Sequence, residues 1–191
     1  MNTYIAKGQS FAIVANPIWR RIGFGSVEGF QGTAFGIMDG MITILGVVIG
    51  ISEATNTIRL VVVSGLVAGV ANAFGNSIGF YASELAERGE HMRENAPVAP
   101  SAEVYMSTVN SFVASLLTML VPVLPFVFLS SVQAMAAAVL VAMVVLFALG
   151  SYVGHLSGLN RFRLGLRYVM LGLMGSGLSF LVGDLLRSLL M

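Results

Sequence analysis

Gln31–Ile51 reads QGTAFGIMDGMITILGVVIGI, twenty-one residues with one ionised side chain, Asp39, near the middle. At 1.5 Å per residue a helix of that length reaches about 31 Å, the thickness of a bilayer's hydrocarbon core. The stretch therefore predicts a membrane-spanning helix. Gly32, Gly36, Asp39, Thr43, Gly46 and Gly50 alternate steps of four and three, so small and polar residues share one seam and Met, Ile, Leu and Val take the other faces. Small residues let helix backbones approach closely where lipid is as apolar as leucine. The acid thus lies on a helix-contact face, where it costs about 2.5–3.5 kcal/mol on insertion scales, and an intramembrane acid is a functional hypothesis by default.

The composition around this helix is that of a polytopic membrane protein. Of 191 residues, 57% are hydrophobic and only 10% charged, against about 25% charged in soluble domains. The mean hydropathy is +0.88. A net charge of +1, with no dense basic patch, speaks against a nucleic-acid partner. Cysteine is absent, which excludes disulfides and thiolate metal sites.

Four further spans follow. The second runs from Ile58 to Ser83 and repeats the small-polar spacing at Gly65, Gly69, Asn72, Asn76, Gly79 and Ser83; a polar loop, Ser52 to Thr57, precedes it. The helical pattern continues into ELAERGEHMREN and breaks at APVAPSAE, where Pro97 and Pro100 make a turn. The third span, about Tyr105 to Leu129, carries Pro122 and Pro125, which predict a kink or partial break. The fourth, Val132 to Gly154, has no charge and reads as a packing helix; the fifth, Leu164 to Leu186, has a seam of Gly165, Gly172, Ser176, Ser179 and Gly183. The chain divides into an interfacial arm (1–30), spans one and two (31–83), a short cytoplasmic acidic segment (84–103) and spans three to five (104–191). In the arm, Lys7, the apolar run Phe11 to Trp19 and Arg20 and Arg21 read either as an amphipathic segment on membrane lipid or as a tail with no fixed place.

Five spans with a cytoplasmic N-terminus put Lys7, Arg20, Arg21, Arg88, Arg93, Arg161, Arg163 and Arg167 on the inside and only Arg59 and Arg187 outside. That is a strong positive-inside bias, and it leaves the C-terminus outside. The short chain points to a multi-pass protein of a prokaryotic plasma (inner) membrane.

Several groups of side chains invite chemistry. Asp39 either pairs structurally or binds a cation; no Arg or Lys lies at any span centre to neutralise it. Two copies of its helix meeting across a two-fold axis would bring two carboxylates together, a natural divalent-cation site. Asn72 and Asn76, at i and i+4, read equally as oxygen ligands on that path or as interhelical glue worth about 0.6–2 kcal/mol. Met38 and Met41 offer thioethers that Fe(II) accepts, or are packing residues. Glu84, Glu87, His91 and Glu94 share one face of the extended second helix, a donor set that suits Fe(II), Mn(II) or Zn(II); the plain alternative is a solvated helix end with Arg88 and Arg93 paired to the glutamates. Asp184 and Arg187, one turn apart, read as a local ion pair at the outer interface. No nucleophile–base set or phosphate-cradling loop supports an enzyme.

The stretch FGIMDGMITILGVVIG resembles the first-helix signature of the vacuolar iron transporter family. NSFVASLLTMLVPVLP resembles that family's third helix with its paired prolines, and FALG near Phe147 and GLNRFRLGLRYVMLGLMGSGLSFLVGDLL resemble its fourth and fifth. The likeness spans about Gly32 to Leu186. It implies an all-α, five-helix protomer working as a homodimer, with a path at the dimer interface for Fe(II) or Mn(II) leaving the cytoplasm in exchange for protons. The metal is then the transported ion, and no permanently bound cofactor is implied. Asp39 matches the family's pathway aspartate, and Glu84 and Glu87 lie where its cytoplasmic metal-binding glutamates begin. The second helix departs from the pattern: Asn72-Ala73-Phe74-Gly75-Asn76 stands where the family has Met-Ala-x-Gly-Glu, so amides replace a thioether and a carboxylate. Two other readings stay open: a non-transporting membrane interaction protein dimerised through its glycine seam, and a transporter of a different small ion.

Overall fold

The computed structural model describes residues 27–94 and 101–190. The amphipathic arm with Lys7, Trp19, Arg20 and Arg21, and the turn at Pro97 and Pro100, lie outside the described residues. Among the described residues the chain is all helix: α1 (Val27–Thr55), α2 (Ile58–Arg93), α3 (Ser101–Val123), a one-turn α4 (Pro125–Phe128), α5 (Ser131–Leu156) and α6 (Arg161–Leu190). Five segments are long and apolar enough to cross a membrane, α3 and α4 together forming the span Ser101–Phe128. The five-span architecture expected from the sequence is therefore present.

The helix ends show what apolar runs conceal. α1 continues to Thr55, so the polar loop expected over Ser52 to Thr57 shrinks to Asn56 and Thr57. In the last turn the Thr55 hydroxyl donates to the Ile51 carbonyl at 2.8 Å, so that polar side chain is satisfied by the helix itself. Asn56 closes the helix in the left-handed region at φ 48°, a conformation asparagine tolerates better than most residues. α2 runs unbroken to Arg93, as the continuing pattern beyond Ser83 requires. The two prolines break the third span as expected. Pro122 lies inside α3, Pro125 starts α4, and the Val127 amide turns to the Leu124 carbonyl at 3.0 Å, a three-residue reach in place of the four-residue one.

α1 is the central helix. Among the described residues, α2, α3, α5 and α6 all pack against it and follow one another around it, and none of them covers the side between α2 and α6. Met41, Ile44, Leu45 and Val48 are fully or almost fully buried. α5 answers with Ala134, Ala138, Ala142 and Leu146 at steps of four, which gives the uncharged fourth span its packing role.

The glycine seam of α1 is spent inside the protomer. Its first half faces α3, where a Cβ on Gly36 would run into the Ser111 carbonyl and lie 3.0 Å from the Ala114 Cβ. Its second half faces α6, where a Cβ on Gly50 would lie 3.0 Å from the Ser179 carbonyl oxygen. These glycines, which the interaction-protein reading would use for a dimer contact, are thus packed against α3 and α6 of the same chain. The seam of α2 is divided: Gly65 fits against Val123 and Val48, whereas a Cβ on Gly79 would meet nothing within 4 Å.

The ion pair expected between Asp184 and Arg187 is also corrected. Arg187 pairs with Glu53 of α1 at 3.2 Å, and Asp184 is exposed. Gly183, packed on the Gly50 carbonyl, draws the outer ends of α1 and α6 together and puts Glu53 within reach. The Arg187 side chain is 52% exposed, so the pair contributes at most about 1 kcal/mol. Glu53→Gln is expected to lower the melting temperature in detergent only slightly; a large drop would show that the pair is better shielded than its exposure indicates.

Candidate functional site

Asp39 stands near mid-span on α1, half-buried, on the strip that α2 and α6 leave uncovered. Along that strip Phe35 is exposed and Met38, Ile42 and Thr43 are half-buried. Asn72 and Asn76 lie one turn apart on α2, so both side chains leave the helix on the same side. Each reaches the acid: Asn72 Nδ2 donates to Asp39 Oδ2 at 2.9 Å, and Asn76 Nδ2 donates to the same oxygen at 2.5 Å. Hydrogen bonds to a charged group are worth about 1.5–3 kcal/mol each. Together they offset the cost of holding a carboxylate at this depth. The interhelical-glue reading of the asparagines is thus realised, and through the same acid that a cation would need.

A third helix joins the cluster. Asn76 Nδ2 also donates to Ser115 Oγ of α3 at 3.4 Å, and the Ser115 hydroxyl donates to the Gly36 carbonyl of α1 at 3.1 Å. Ser115 was not singled out in the sequence. Its signal is the run Ser107, Ser111 and Ser115, three hydroxyls at steps of four within an apolar span, all buried to 1% exposure or less.

The remaining candidates lie elsewhere. Thr43, one turn beyond Asp39, lines an apolar groove of about 540 Å³ between α1 and α6, together with Gly46, Gly50 and Ser179. Met41 is fully buried in the core, which makes it a packing residue, and Met38 packs against the same core. Glu84, Glu87 and His91 lie in the last turns of α2 and Glu94 caps its end, the first of them about 12 Å along the helix from Asn76. Glu84 and His91 are half-buried, Glu87 and Glu94 exposed. Among the described residues no group of three or more His, Asp and Glu side chains gathers to hold a metal. The four share a face without converging. Arg88 donates to Ser101 Oγ at 2.6 Å, tying the end of α2 to the start of α3.

Chemically the centre offers oxygen. The carboxylate and the amide carbonyls are ligands for hard and borderline divalent ions. An amide presents either a donor or an acceptor depending on how it is turned.

Five apolar spans around a half-buried carboxylate define a multi-pass membrane protein with a polar centre in mid-span. The chain belongs to the VIT family, a family of membrane metal-ion transporters, whose pattern it matches over residues 31–97 and 85–184. It is also similar to an uncharacterised protein of Methanocaldococcus jannaschii, 26% identical over 175 residues that span 82% of this chain and 91% of that protein. The family resemblance expected from the sequence is thereby established, and membership is consistent with a protein that is not an enzyme.

Proposed function

We propose that this chain exports Fe(II) or Mn(II) from the cytoplasm in exchange for protons, as a homodimer in the plasma (inner) membrane, along a path at the dimer interface. The observation that carries the reading is Asp39: a mid-span carboxylate on the strip of the central helix that the other described helices leave uncovered, held by two amides from α2. A second protomer laid on that strip sets two Asp39 carboxylates facing each other. The outward face of α2 supports this placement, since Gly75 and Gly79 flank Asn76 with open space beside them, a surface that admits close approach of another helix.

In this reading Asp39 from both protomers binds the ion, and Asn72, Asn76 and Thr43 contribute oxygen ligands. Glu84, Glu87, His91 and Glu94 collect it at the cytoplasmic mouth. Metal-binding carboxylates must be deprotonated, so protons arriving from the far side compete with the ion and release it. The basic residues set the N-terminus inside and the C-terminus outside, and lipid surrounds the rest. Metal is cargo; no cofactor resides in the protein.

The test is flux into proteoliposomes that enclose a dye quenched by Fe(II) or Mn(II). A protein-dependent signal that grows when the receiving side is acidic is expected. No signal for either ion, with or without a pH gradient, overturns transport of these metals and leaves the non-transporting interaction protein. The single carboxylate among amides favours one further reading, a different small cation as cargo, which monovalent-ion flux in the same vesicles reports.

A further inference from the structure

We infer that Ser115 is a positioning residue for the ion site, one that decides which atom of the Asn76 amide faces Asp39. The inference rests on the transport reading above and deepens it.

A serine hydroxyl has one proton to give. Ser115 gives it to the Gly36 carbonyl at 3.1 Å, and α1 has no Cβ there to hold α3 away. Its oxygen therefore meets Asn76 only as an acceptor. Of the two ends of the Asn76 amide, only the NH2 group satisfies an acceptor, and Nδ2 is the atom placed there, at 3.4 Å. The same nitrogen gives its other proton to Asp39 Oδ2. Both N–H bonds are used, and the carbonyl end of the amide is turned away from the carboxylate. Asn76 is thus held as a donor, the orientation opposite to the one a cation ligand needs.

For Asn76 to bring its oxygen to a cation at Asp39, the amide must turn over and give up both bonds. The bond to Asp39 is replaced by the ion. The bond to Ser115 is not replaced without cost: either the Ser115 oxygen faces an acceptor with no proton to offer, or its hydroxyl leaves the Gly36 carbonyl to donate to the turned amide, and one bond is lost either way. Ser115 therefore opposes the ion-bound orientation and weakens affinity. The position is suited to this role because it is 1% exposed, so no water replaces the missing donor.

Removing the hydroxyl removes that opposition. The fold tolerates the change, since the Gly36 carbonyl keeps its ordinary helical partner four residues on. At 3.4 Å the bond lies at the weak end of the hydrogen-bond range, so Ser115→Ala is expected to lower the KM for Mn(II) flux, and the Kd for Mn(II) at equilibrium, by about threefold. Ser115→Cys fills the site with a somewhat larger group that is a poorer acceptor and is expected to move both values the same way by less. It also serves as the readable variant should alanine destabilise the protein. Ser111→Ala is the control: Ser111 occupies the same buried face one turn earlier, its Oγ has no hydrogen-bond partner, and its removal is expected to leave KM and Kd unchanged. An unchanged or raised KM in both Ser115 variants, measured where the unaltered protein transports Mn(II), overturns the positioning role and leaves transport standing. An equal shift in Ser111→Ala also overturns it, by assigning the effect to packing. Absence of flux and of Mn(II) binding in the unaltered protein overturns instead the reading on which the inference rests.

Discussion

Asp39→Asn is expected to reduce divalent-cation flux at least thirtyfold while leaving the folded protein intact. The two halves of that expectation have different physical sources. Two unit charges 4 Å apart attract by about 4 kcal/mol at an effective dielectric of about 20, and a divalent ion doubles the figure. Most of this offsets desolvation, but a remainder of about 2 kcal/mol is already about thirtyfold in binding. Among the described residues no second charge compensates, because the side chains that reach Asp39 are both amides, Asn72 and Asn76. The fold, by contrast, needs only an acceptor at this place. An asparagine carbonyl accepts from both Nδ2 groups as the carboxylate does, though more weakly, since each bond loses its charge assistance. The melting temperature in detergent is therefore expected to stay close to that of the unaltered protein, with flux lost. A stable variant that retains full flux would remove Asp39 from the ion path. A variant that fails to fold, and loses its dimer, would favour the rival view of Asp39 as a structural hydrogen-bonding residue.

Gly36→Leu is expected to abolish folding, and Gly36→Ala to cost on the order of 1–3 kcal/mol, the usual penalty for overfilling a packed interior. The obstacle is backbone: a Cβ on Gly36 meets the Ser111 carbonyl of α3 and stands 3.0 Å from both the Ser111 carbonyl carbon and the Ala114 Cβ. A side chain in the way can change rotamer, whereas a helix carbonyl cannot, so α1 and α3 must move apart along the contact. That separation also pulls Ser115 from the Gly36 carbonyl and disturbs the ion site. Gly177→Ala is the matched comparison, since a Cβ at that exposed glycine meets nothing within 4 Å. It is expected to be neutral or slightly stabilising, because alanine is the better helix former. Size-exclusion profiles and melting curves in detergent read both. Equal tolerance of the two substitutions would show that α1 and α3 are not as closely packed as Gly36 and Ser111 indicate.

Much of this protein was legible before any contact was known. The five spans follow from length and hydropathy, which act locally because every backbone polar group in a bilayer must be satisfied within its own helix. The break at Pro122 and Pro125 follows from a missing N–H, again a local matter. The i and i+4 spacing of Asn72 and Asn76 put two amides on one face of α2, and the single charge in Gln31–Ile51 marked Asp39.

The seam of small residues on α1 was equally visible, but its partner was not. Small residues specify that a neighbour comes close without specifying which, and here the neighbours of the α1 glycines are α3 and α6. Arg187 illustrates the same point at the surface, where an acid one turn away in sequence loses to Glu53 on another helix. Ser115 is the clearest case: its role depends on one proton going to Gly36 of α1 and one lone pair facing Asn76 of α2, residues 79 and 39 positions away. The sequence by itself determined the helices, their faces and the one intramembrane acid, since periodicity and hydropathy are properties of each segment alone. Only the tertiary structure decided which faces meet and which way each hydrogen bond runs, because those depend on donors and acceptors brought together from distant parts of the chain.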